Sequence, residues 1–164
     1  MISRTLVLMA VGLAVVGALI FLMFGVTTGA HLRLEGKILK IRMYQQPGSS
    51  GTLVFADFRI ENPSNVPFVV ESVKLRLQPA SGDAAEASII SKADTESVFQ
   101  YQKLLGPKYN DVLSTRDRVG AHQMMDRMAG ARFEVPEAAV NGRKSLRIEF
   151  TDVDGAVAEI GESK

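Results

Sequence analysis

Along most of the chain the apolar positions recur every second residue. Leu32 and Leu34 alternate with charged neighbours, and Leu39, Ile41 and Met43 alternate with Lys40 and Arg42. The phase slips by one between Leu34 and Leu39, which predicts a β-bulge near Gly36. After the turn residues 46–51, Val54, Ala56, Phe58 and Ile60 fall on one face, and Asp57, Arg59 and Glu61 on the other. That is the pattern of a half-buried strand. Pro63 and Pro67 interrupt it, because proline has no N–H to give a ladder. Residues 69–77 resume with Val73, Leu75 and Leu77 on one side. Strand character returns at 132–135 and again at Leu146, Ile148 and Phe150, and residues 152–155 predict a hairpin turn onto 156–160.

Two stretches break this period. Residues 95–105 read as a short helix stopped by Gly106 and Pro107. Residues 116–129 read as a second helix, capped by Thr115 and ended by Gly130. Its apolar face would be Ala121, Met124, Met125 and Met128, at i, i+3, i+4 and i+7. The other break is residues 5–26, a run of 22 residues without a charge. As a helix it is roughly 33 Å long, enough to cross a hydrocarbon core of about 30 Å. Its length exceeds the apolar core of a cleaved signal peptide, so an uncleaved anchor is expected. Ala10, Ala14, Gly17 and Ala18 fall on one face of that helix, where small residues let another helix approach closely.

The expected fold class is therefore mainly β. A single N-terminal transmembrane helix (residues 1–30) precedes an antiparallel β-sandwich (31–164) with a helical insertion near 95–130. The flanking bases are Arg4 before the run and Arg33, Lys37, Lys40 and Arg42 after it. Counted literally they would keep the folded domain in the cytoplasm. Because the latter four alternate with apolar residues as in a strand, we favour a signal anchor in a bacterial inner membrane with a periplasmic domain.

Charge narrows the function. The first 30 residues carry Arg4 alone, and the rest carry 18 bases against 18 acids. A neutral domain lacks the basic excess of a nucleic-acid binder. The absence of cysteine removes disulfides, thiolate metal sites and thiol nucleophiles. His31 lies at the expected membrane exit, and His122 is spaced for a helical contact with Asp126. Neither has a nucleophile-elbow context. Asp152 and Asp154 lack the closing glutamate of a calcium loop, so a polar turn is expected there. No catalytic residue, cofactor or metal is expected.

The insertion concentrates residue types that are enriched at interfaces. Tyr101, Tyr109, Arg116, Arg118, Met124, Met125 and Met128 are its candidate partner contacts, the three methionines reading also as adaptable core filler, which is the preferred reading for them. The leading expectation is a non-enzymatic structural or accessory subunit. Its helix would pack in a larger membrane complex, and its sandwich would touch other membrane-protein subunits. An energy-transducing complex, respiratory or photosynthetic, is one candidate host. The alternative is a membrane-anchored module that binds lipid or another hydrophobic ligand.

One segment carries a family resemblance. In FADFRIENPSNVPFVVESVKLRL a strand runs into Asn62-Pro63, a tight turn with Asn65, then Pro67 and another strand. This resembles the NPN-type signature of LEA-2/WHy-like domains over residues 38–77. The resemblance implies an immunoglobulin- or fibronectin-III-like sandwich behind a membrane anchor and implies no catalytic residue. The helical insertion is not part of that pattern.

Overall fold

In the computed structural model, which describes residues 12–21 and 33–162, the period-two segments form two antiparallel sheets. The first holds β1 (Glu35–Gln45), β2 (Thr52–Glu61) and β6 (Met124–Phe133), in the order β1-β2-β6. The second holds β4 (Ala85–Ser88), β3 (Phe68–Gln78), β7 (Ser145–Asp152) and β8 (Val157–Gly161) in that order, with β5 (Arg118–Val119) also pairing β3. Between β4 and β5 lie α1 (Lys92–Tyr101) and a 3-10 turn, Lys103–Leu105; α2 (Glu137–Asn141) precedes β7.

The inward faces match the alternation. Val54, Ala56, Phe58 and Ile60 of β2 are fully buried against Leu75 and Leu77 of β3 and Leu146, Ile148 and Phe150 of β7. The rings of Phe58 and Phe150 meet across the sheets at 5.5 Å. The Asp152 turn forms as expected: Asp152 is buried, accepts from the Val69 and Asp154 N–H groups, and leads into Gly155 at φ +83°.

The N-terminal unit, Met1–His31, is separate from the unit Leu32–Lys164. Residues 12–21 are helical and exposed, and they include Ala14, Gly17 and Ala18. Ala10, His31 and the ends of the expected span 5–26 lie outside the described residues. Among the described residues no helix is long and apolar enough to cross a membrane.

Two expectations are corrected. The bulge falls between Ile38 and Lys40, at Leu39, rather than at Gly36. What Gly36 provides is close approach: a Cβ there would lie 2.1 Å from the Arg59 carbonyl oxygen.

The larger correction concerns residues 116–129. They form no helix; they supply β5, a turn, and most of β6, which pairs with β2 from Thr52↔Phe133 to Glu61↔Met124. The apolar spacing deceives because Met128 to Ala131 are buried on both faces of the strand. A strand covered on both sides loses its alternation, and short apolar runs then mimic a helix. Gly130, expected as a helix stop, lies mid-strand, where a Cβ would meet the Phe55 ring at 2.7 Å. The first helix was legible, beginning three residues early at Lys92 under a Ser91 cap.

Candidate interaction surfaces

The segment between β4 and β5 returns to its own domain and covers half of one sheet face. Ile90 donates to the Gly130 carbonyl, Leu113 to the Met128 carbonyl, and the Met128 N–H to Asp111. These bonds occupy part of the open edge of β6, which would otherwise offer unpaired backbone groups. Beneath the segment, Phe55 and Met128 pack with Leu105, Val112, Val98 and Phe99 in a second, smaller core. The Phe55 and Phe99 rings meet edge to face at 5.0 Å.

Arg42 and Asp57 fasten this cover. Both lie on the outward face of the first sheet, yet both are buried. Arg42 Nη2 donates to Asp57 Oδ2 at 2.7 Å. Its Nη1 donates to the Leu105 and Pro107 carbonyls at 3.2 and 2.7 Å. Asn110 closes the other carboxylate oxygen at 2.9 Å, and the guanidinium stacks 4.5 Å from the Phe99 ring centroid. Taking both charges out of water costs several kcal/mol per ion, which their mutual attraction alone does not repay. The additional bonds to backbone carbonyls and the cation–π contact supply the balance. The Arg42 Nε alone has no partner.

The uncovered half of the same face is charged and lies where β1 begins. Arg59 and Asp126 form a two-pronged pair at 2.7 and 2.8 Å. The Arg59 hydrogen bond holds the Asp126 carboxyl below its ordinary range, and the same bond raises Arg59. On the second sheet, Lys74 and then Arg76 hold Glu86 down in the same way.

At the pole where β1, β3 and β6 begin, Asn62 organises the loops. It is fully buried; its Nδ2 donates to the Val66 and Val119 carbonyls, and its Oδ1 accepts from Ser64 N–H and Oγ–H. Asn62 also bonds residues 122 and 123 through its backbone. His122 does not reach Asp126, which is engaged by Arg59; instead its Nε2 lies 2.8 Å from Asn65 Oδ1 at the surface. Beside it Arg116 takes φ +71° and is fixed by reciprocal bonds: Arg116 N–H to Val70 O, and Val70 N–H to Asp117 O.

The seven sequence-derived contacts therefore do not form one surface. Tyr101 and Tyr109 are exposed on the covering segment. Arg116, Arg118 and Met124 are exposed at the pole. Met125 packs against the main core, and Met128 is fully buried under the cover, so a partner cannot reach it without opening the domain. The single methionine face expected from a helix is corrected to three environments, because neighbouring strand residues point to opposite faces. Sequence reasoning missed Arg42 and Asp57. Their only signal was charge on expected strands, and a charge on a strand ordinarily faces water.

Among the described residues no group of three or more His, Asp and Glu side chains is placed to hold a metal ion. No protein-family model matches the chain, and neither does any curated protein. Among solved structures it is similar to a Northeast Structural Genomics Consortium target, SoR45, at 12% identity over 81% of this chain and 83% of that one, TM-score 0.39. It is also similar to an uncharacterized β-sandwich protein of Clostridium difficile 630 at 11% identity over 79% and 85% of the chains, TM-score 0.40.

Proposed function

We propose that the protein is a non-enzymatic, single-pass membrane subunit that docks on neighbouring subunits of a larger assembly. In this reading residues 5–26 are the anchor, and the stripe Ala10, Ala14, Gly17 and Ala18 packs on another helix. The sandwich, LEA-2/WHy-like in its Asn62–Pro67 corner, stands on the periplasmic side of a bacterial inner membrane.

The observation that carries the reading is the pinned turn at residues 114–119. Arg116 and Arg118 project from a backbone held by β3 on one side and by the Asp117 carboxylate, which accepts the Ser114 N–H at 2.9 Å, on the other. Neither guanidinium makes an ion pair among the described residues. A backbone already fixed has no further ordering cost of its own on binding, and arginine is a favoured anchor of protein interfaces.

Purified in mild detergent, the intact chain is expected to bring other subunits with it. The double variant Arg116→Ala, Arg118→Ala should lose them while keeping its melting transition. A native chain that purifies only as a monomer overturns the reading. A reporter active only outside the cytoplasm, fused at Lys164, should be active; an inactive fusion overturns the assigned side.

A further inference from the structure

We infer that the tip of the covering segment, Tyr101, Leu104 and Tyr109 flanked by Lys40 and Lys103, rests in the headgroup layer of the bilayer that holds the anchor. This rests on the anchor part of the proposed function and not on the subunit part.

The first ground is where apolar surface remains. Within residues 33–162 the three most exposed large apolar side chains are Leu104, Tyr101 and Tyr109, at 92%, 74% and 63%. All three fall within nine residues of one another in the sequence. Three large apolar side chains left in water within one short segment are the kind of surface a contact site offers.

The second ground is that the exposure is built. Leu105, next to Leu104, is buried, and Arg42 holds the carbonyls of Leu105 and Pro107 from below. Residues 101–109 thus turn about one buried guanidinium, which also lies 5.5 Å from the Tyr109 ring.

The third ground is chemistry, which selects lipid over protein. Lys40 lies over the Tyr109 ring at 5.2 Å, and neither Lys40 nor Lys103 makes an ion pair among the described residues. The acids of the segment are engaged: Lys108 reaches Glu96 and Asp111, and the Asp94 carboxylate accepts from the hydroxyl of Ser91, the cap of α1. Lysine is depleted in protein interfaces. Tyrosine rings with lysine stems around an apolar apex are what a headgroup layer accepts: the ring and stem lie in the apolar side while hydroxyl and ammonium stay wet.

The chain contains no tryptophan, so a single substitution is a clean reporter. The intact chain carrying Leu104→Trp is reconstituted into phosphatidylcholine–phosphatidylglycerol vesicles whose acyl chains are brominated near the headgroup end. A second preparation carries Val157→Trp on β8, where Val157 is 58% exposed. The reporter at 104 is expected to emit to the blue and to be quenched by bromine, and the one at 157 to do neither. Adding Lys40→Glu and Lys103→Glu should weaken the quenching at 104. Equal quenching at both sites overturns the assignment. A blue shift at 104 without bromine quenching, as burial by another protein would give, also overturns it. Resistance to alkaline carbonate extraction is read in parallel. A chain washed off the vesicles refutes the anchor and the inference together; an embedded chain with an unquenched reporter at 104 refutes the inference alone.

Discussion

Removing the guanidinium of Arg42 is the sharpest test of how the covering segment is held. Arg42→Met keeps much of the side-chain stem volume but deletes four hydrogen bonds, to Asp57, to the Leu105 and Pro107 carbonyls and to the Met128 sulfur, and the stacking on Phe99. It also strands the Asp57 carboxylate, 3% exposed, with Asn110 as its remaining donor. Breaking a buried pair by removing one partner costs about 3–5 kcal/mol. For a domain of about 130 residues the unfolding entropy is about 0.27 kcal/mol per degree, so melting should fall by about 11–18 °C. The double variant Arg42→Met, Asp57→Leu removes the stranded charge as well and should recover part of the loss. The coupling between the two sites should be at least about 1 kcal/mol. Thermal and urea denaturation of parent, both single variants and the double variant measure the cycle. A single-variant loss under about 1 kcal/mol, or strictly additive changes, would refute the claim that this pair fastens the segment.

Three further outcomes follow from named contacts. Gly130→Ala places a Cβ 2.7 Å from the Phe55 ring; the resulting overpacking should cost about 1–3 kcal/mol, read from the urea midpoint, and an unchanged midpoint would mean the ring moves freely. Asn62→Ala removes the donor to the Val66 and Val119 carbonyls and should cost about 2–4 kcal/mol. Asn62→Asp, which cannot donate, should not rescue it, and rescue would show that the amide is dispensable. The third concerns pH. Arg59 depresses Asp126, so its stabilisation is present above the unfolded value of about 4 and is lost as pH falls through the lower folded value. Melting of Asp126→Asn should therefore trail the parent at neutral pH and converge with it in acid; a constant gap would contradict the ion pair as the cause.

Much of the sandwich was legible because burial on one face only writes a period of two into the sequence. β2, β3 and β7 were read this way, and the Asp152 hairpin was read from its turn residues. Asn62 stood out through its proline neighbours, although its role as a four-bonded hub joining two loops needed the loops in place. β6 was misread for a definite reason: the covering segment buries its outer face from Met128 to Gly130, so the alternation that identifies a strand is erased by residues up to 40 positions away. The candidate contacts were dispersed by the same error, since Met124, Met125 and Met128 were placed on one helical face.

What the chain determines locally is which segments extend and which residues turn, because period, proline and glycine act over a few residues. Arg42 and Asp57 show what that local information omits. They are 15 residues apart on strands whose polar faces were expected to meet water, and in isolation they are ordinary surface charges. Only folding brings residues 98–112 over them, and that removal of water turns the two charges into a fastening. The same packing decides which apolar residues are filler and which remain outside, with Met128 covered and Leu104 left exposed. Burial is a property of the whole fold, so the surface available to a partner or a bilayer was settled by tertiary structure alone.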